Sequence, residues 1–85
     1  MMAAGASSAS ATTYCDATFY NPSLYTKLYD ISCPAGHQIR AVSKYYTSDN
    51  TSRVLTAYGP YVSSGTSIAW IPTGTFMAGH YYQEK

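Results

Sequence analysis

Two cysteines set at either end of a strand–turn–strand pattern constrain this chain more than any other feature. They lie in the stretch "TTYCDATFYNPSLYTKLYDISCPAG", Thr12 to Gly36, with the turn signal Asn21-Pro22-Ser23 between them. In a regular antiparallel hairpin, setting Cys15 opposite Cys33 also sets Ala17 opposite Ile31 and Phe19 opposite Tyr29. That face is apolar. The other face then carries Tyr14, Asp16, Thr18, Tyr20, Leu28, Asp30 and Ser32, which reads as mostly polar and wet. A directly opposed cross-strand pair lies within disulfide reach, so Cys15 and Cys33 are expected to form a hairpin staple. A redox dithiol calls for C-x-x-C at a helix start, which neither the spacing nor the strand context provides. A zinc site calls for four ligands, and the two cysteines with His37 and His80 supply them only if the fold brings them together. A disulfide implies an oxidising compartment.

The rest of the chain repeats the strand–turn rhythm. Turn clusters fall at Pro34-Ala35-Gly36, "TSDNTS" (Thr47 to Ser52), "VSSGTS" (Val62 to Ser67) and "IPTGT" (Ile71 to Thr75). Between them lie Tyr-, Thr- and Val/Ile-rich runs, giving candidate strands at 12–20, 25–33, 37–46, 53–58, 67–71 and 76–83. The expectation is an all-β protein: a meander closing into a small antiparallel β-sandwich or barrel of about six strands. At 85 residues there is room for one domain, assigned to 12–85. A chain this short buries only about 60% of its unfolded surface, so a cross-link matters to it. Residues 1–11, "MMAAGASSASA", are nearly all small and end in Ala9-Ser10-Ala11, the A-x-A form cut by signal peptidase. They read as a signal-peptide remnant or a flexible leader, and secretion is expected. No apolar run is long enough for a transmembrane segment.

Charged residues make up only 11% of the chain and the net charge is +1, so the basic footprint of a nucleic-acid binder is missing. Enzymatic signals are equally sparse. Of the four carboxylates, Asp49 sits in a turn and Glu84 near a fraying end, leaving Asp16 and Asp30 on one hairpin face without an evident cleft. There is no G-x-S-x-G and no Gly-rich phosphate loop. His37 and His80 read as ordinary surface or interstrand histidines. No catalytic residue, metal site or cofactor is assigned. The sequon at Asn50 lies in an Asn/Ser/Thr-rich turn and says little.

The positive signal is aromatic. Ten tyrosines exceed what one small core can hold, so several must face solvent, where Tyr is a rigid amphipathic contact group. In the third strand, alternation turns Ile39, Ala41, Ser43 and Tyr45 inward and Gln38, Arg40, Val42, Lys44 and Tyr46 outward. With Arg53 across the "TSDNTS" hairpin, this outward face is basic and aromatic, suited to sugars or to an anionic head group. A second cluster combines Trp70, Phe76, Tyr81 and Tyr82; here Trp70 is assigned to the core as the only indole of the chain. The binding candidates are therefore Arg40, Lys44, Tyr46, Arg53, Tyr81 and Tyr82.

The aromatic strand "LYTKLYD", the "GTSIAW" segment after a Gly-containing turn, and the terminal "AGHYYQ" make the chain resemble the secreted β-sandwich lactococcin class of bacteriocins. The resemblance covers about half the chain. It implies a small secreted antibacterial, without catalytic residues, that acts on the envelope of related cells. The expected function is thus a secreted, non-enzymatic binding protein whose partner is a cell-envelope component, a carbohydrate or an extracellular protein. Its most concrete form is a bacteriocin-like antimicrobial. The alternatives are a carbohydrate-binding module, an inhibitor projecting "TSDNTS" or "IPTGT" into an enzyme cleft, and a surface protein that self-assembles through its edge strands.

Overall fold

The computed structural model describes residues 12–85, so the leader assigned to residues 1–11 lies outside the described residues. Among the described residues there are six strands and no helix, and the strands form two three-stranded antiparallel sheets. The strands are β1 (Asp16–Tyr20), β2 (Tyr25–Ser32), β3 (Ile39–Thr47), β4 (Asn50–Tyr58), β5 (Ser64–Trp70) and β6 (Thr75–Glu84). The first sheet runs β1-β2-β5 and the second β4-β3-β6. The fold is therefore a sandwich rather than a barrel. It is not a simple meander either. Only β1–β2 and β3–β4 are hairpins, and the chain changes sheet between β2 and β3, between β4 and β5, and again between β5 and β6.

Two of these changes of sheet have a visible local cause. Between β2 and β3, the turn after Pro34 places Gly36 at φ 86°, a left-handed conformation open to glycine. Between β4 and β5, the chain stays beside β3 for a few residues before leaving. Gly59 N–H donates to Ala41 O, and Val62 and Ile39 exchange backbone hydrogen bonds. Gly59 is wedged there, because a β-carbon would fall 2.7 Å from the Ile68 carbonyl oxygen and the Ser67 hydroxyl. A larger residue would push the sheets apart.

The hairpin register departs from regular alternation. Asp16 does face Ser32, as a Cys15–Cys33 pair demands, but further along Thr18 faces Tyr29 and Phe19 faces Leu28. The Phe19–Tyr29 pairing is thus corrected by one residue. The cause is a bulge in β2: between Leu28 and Ile31 that strand has one residue more than β5 opposite, and Asp30 adopts φ 52°. Asp is one of the few residues that tolerates this region. The bulge turns both Leu28 and Ile31 inward, which a regular strand cannot do at a spacing of three. Leu28, expected on the wet face, is fully buried.

The core consists of Cys15, Ala17, Phe19, Leu28, Ile31, Ile39, Ala41 and Ala69, with Tyr82 packed against it and edge-on to Phe19. Half of these side chains are small, so the apolar area available to hold the sheets is limited. The Cys15–Cys33 disulfide, with sulfurs 2.04 Å apart, compensates by tying β1 to the chain beyond β2 across 18 residues. In the chain-entropy picture a loop of that length contributes about 3 kcal/mol. Replacing both cysteines by serine, or reducing the bond, is expected to lower the free energy of unfolding by about that amount in a denaturant titration.

Candidate functional site

Between the sheets, three buried polar residues are joined to partners. Ser43 (β3) and Thr26 (β2) are fully buried, and their hydroxyl oxygens lie 2.7 Å apart. Ser43 Oγ is also 2.7 Å from the Ala69 carbonyl oxygen, and Thr26 Oγ1 is 2.7 Å from Nδ1 of His80 in β6. A hydroxyl has one proton and a carbonyl can only accept. We therefore assign the Ser43 proton to Ala69 O, the Thr26 proton to Ser43 Oγ, and the Nδ1 proton of His80 to Thr26 Oγ1. Ser67, buried on β5, makes a parallel link: it accepts from Ala41 N–H and donates to Pro60 O. His80 is thus built into a pin between the sheets, and burial pushes its pKa below the ordinary 6.5.

Glu84 makes the second link, and here the expectation of a fraying end is corrected. Its carboxylate accepts the backbone N–H groups of Thr13, Tyr14 and Cys15 at 2.8–2.9 Å, fastening the end of β6 to the start of β1. Burial raises its pKa, but these three donors and nearby His37 outweigh that and hold it below the ordinary 4.5. The His37 ring stacks on Tyr14 at 3.9 Å, with Nδ1 3.2 Å from Lys85 O. His37 also lines a shallow, open depression of about 550 Å³ with Gly36, Gln38, Ser63 and Lys85. Among the described residues, no three His, Cys, Asp or Glu side chains converge on a metal site.

The inner faces being occupied, contact chemistry falls to the outer ones. On β4-β3-β6 the register lines up four rows. Arg40 faces Gln83; Val42 lies between Tyr58 and Tyr81; Lys44 lies between Thr56 and Gly79; Tyr46 faces Phe76. Val42 points outward as expected, yet is buried between its two tyrosines. Arg40 is pinned in place. Its guanidinium sits 3.9 Å over the Tyr58 ring and 4.4 Å over the Tyr61 ring, and Nε and Nη2 both donate to Gln83 Oε1. Lys44 Nζ donates to Thr56 Oγ1. Gly79 leaves room for the Tyr81 ring, whose atoms stand where a β-carbon would project. Tyr46 and Phe76 stack at 5.6 Å. Tyr58 and Tyr81 are each 53% exposed and Phe76 49%.

Four of the sequence candidates, Arg40, Lys44, Tyr46 and Tyr81, therefore share one face. Two do not join it. Tyr82 faces Ala41 on the inner side and packs on the core, because β6 alternation sends neighbouring tyrosines to opposite faces. Arg53 is exposed near the hairpin end, three residues before Thr56 and so about 10 Å along the strand from the Lys44 row. Tyr58, Tyr61 and Phe76 complete the face, and Tyr58 and Tyr61 were not singled out from sequence. For Tyr58 the signal lay in the alternation of β4 once that strand is paired with β3, whereas Tyr61 lies in a connection whose path no periodicity predicts.

The β1-β2-β5 sheet has an aromatic outer surface of its own. Trp70 is 58% exposed, which overturns its assignment to the core. It faces Tyr25, with ring centroids 4.4 Å apart, and Tyr20 follows at 6.1 Å from Tyr25. The chain neighbours of Trp70, Ala69 and Ile71, are the buried residues, so alternation turns the indole outward. No family model matches the chain, and neither the curated proteins nor the solved structures yield a match.

The two ionisable links, both partly buried, make stability depend on pH in one direction. His80 has a lowered pKa in the folded state, so the unfolded chain binds its proton first and stability falls as the pH drops below 6.5. Glu84, also lowered, adds a loss that begins near 4.5 and runs through its folded value. The denaturation midpoint should decline between about pH 7 and pH 5, and His80→Gln should remove this first step while leaving the more acidic one. A flat midpoint over that interval in the unsubstituted protein contradicts the placement of His80.

Proposed function

We propose that this is a secreted, non-enzymatic binding protein whose working surface is the outer face of β4-β3-β6, and that it acts on the bacterial envelope as a bacteriocin-like antimicrobial. One observation carries the reading. That face gathers Tyr46, Tyr58, Phe76 and Tyr81 around Arg40 and Lys44, with half of each of three large rings open to solvent. Rigid aromatic groups with a pinned arginine are the composition of a contact surface. The disulfide supports an oxidising compartment, and among the described residues no helix is long and apolar enough to cross a membrane. The lactococcin-like segments support the antibacterial form of the reading.

The test uses disulfide-intact protein and bacterial envelope fragments. Tyr46→Ala and Arg40→Ala are each expected to weaken binding about tenfold, while Trp70→Ala on the opposite sheet leaves it unchanged. Unchanged binding in the first two variants overturns the choice of face. Absence of growth inhibition across a broad bacterial panel removes the antimicrobial form.

A second reading, a carbohydrate-binding module, is favoured by the exposed Trp70–Tyr25–Tyr20 run. Because Trp70 is the only tryptophan, soluble oligosaccharides should then quench its emission. Unchanged emission rules against this second reading.

A further inference from the structure

The net charge of +1 conceals a separation of charge. All four carboxylates have places off the outer face of β4-β3-β6. Asp16 and Asp30 lie in β1 and β2 of the other sheet, Asp49 in the β3–β4 turn beside the Thr47 hydroxyl, and Glu84 against the Thr13–Cys15 amides. Arg40 and Lys44, by contrast, project from the central strand of that face. Their hydrogen bonds go to uncharged groups, Gln83 Oε1 and Thr56 Oγ1. A guanidinium has five N–H donors and an ammonium three, so both retain donors for an anionic ligand. The face is thus locally cationic at its middle and aromatic around it.

That arrangement selects among partners. A protein interface depletes lysine at its centre, where water is expelled. A headgroup layer stays hydrated and anionic, so a central cation is favourable there, at about fivefold in affinity for each Lys or Arg near the surface. Tyrosine rings with a polar tip suit the same depth of a bilayer interface. A small free anion would call for a concave site; the depression lined by His37 and Lys85 adjoins the Tyr61 edge of the face, where Lys85 Nζ lies 4.2 Å over the Tyr61 ring, but neither Arg40 nor Lys44 lines it. We infer that the ligand of this face is the anionic phospholipid headgroup layer of a bilayer, held by Arg40 and Lys44 with Tyr46, Tyr58, Phe76 and Tyr81 entering the interface. The inference rests on the face proposed above being the working surface.

The position of Trp70 provides an internal control, because it reports the opposite sheet. Vesicles of phosphatidylcholine alone and vesicles containing phosphatidylglycerol are mixed with the natural chain and with Phe76→Trp in a Trp70→Phe background. The inserted tryptophan should shift to the blue only with phosphatidylglycerol, while Trp70 of the natural chain does not shift. Lys44→Gln and Arg40→Gln should each weaken vesicle binding about fivefold, Arg40→Lys should largely restore it, and added salt should weaken it throughout. Circular dichroism confirms that each variant is folded. Equal binding to neutral vesicles, or a blue shift of Trp70, overturns the inference. If envelope fragments bind in an Arg40-dependent way and phosphatidylglycerol vesicles do not, the headgroup assignment falls and the face stands. If neither binds, both fall.

Discussion

The hydroxyl-to-hydroxyl contact between Thr26 and Ser43 is the interaction on which the rest of this sandwich depends. A core of Ala17, Ala41 and Ala69 around a few larger residues brings the sheets close but contributes little burial energy. At that separation the facing positions must be small, and small polar residues can bond across the gap. Thr26, Ser43 and Ser67 do so, and the chain is completed by His80 and by backbone carbonyls. A buried polar network is favourable only when its members are satisfied, and no buried side-chain polar atom among the described residues is left without a partner. The disulfide and the Glu84 clamp extend the same principle to the end of the sandwich where β1 begins.

This interior dictates the exterior. The core holds one phenylalanine and the edge of one tyrosine, and Tyr20, Tyr58, Trp70, Phe76 and Tyr81 stand outward and exposed. Exposed aromatics are therefore a consequence of the close-packed sheets, not an excess that the fold failed to bury. The two outer faces differ in what accompanies the rings. The β1-β2-β5 sheet bears Asp16 and Asp30 together with Lys27, which lies over Tyr29, whereas Arg40 and Lys44 occupy the middle strand of β4-β3-β6. The Arg40 guanidinium, stacked between Tyr58 and Tyr61, is held ready and loses little freedom on contact. Close sheets thus lead, through the displaced rings and the location of the charges, to a surface suited to binding.

Much of the architecture was legible in the sequence because it depends on local rules. The turn clusters located all six strands to within a few residues, and the Cys15–Cys33 pairing followed from hairpin geometry. Features set by non-local packing were not legible. The bulge at Asp30 breaks the period of two, so Leu28 was placed on the wrong face. The crossings between sheets depend on Gly59 fitting against Ile68, a contact that alternation along one strand does not encode. Trp70 was misplaced because size was taken to require burial. Glu84 was judged by its distance from the middle of the chain, whereas its partners are about seventy residues away in sequence. On the candidate face, the β3 residues were read correctly because one strand alternates regularly. Tyr58 and Tyr61 became visible only once β4 and its connection were laid beside β3.

The central claim is that one outer face works while the other elements hold it in place, and amide chemical-shift mapping tests it most directly. Envelope-derived vesicles are titrated into isotopically labelled, disulfide-intact protein. The predicted result is broadening concentrated at Arg40, Val42, Lys44 and Tyr46 and at their neighbours Tyr58 and Tyr81, with Tyr20, Tyr25 and Trp70 unchanged. Perturbations centred on β1-β2-β5 instead would contradict the account.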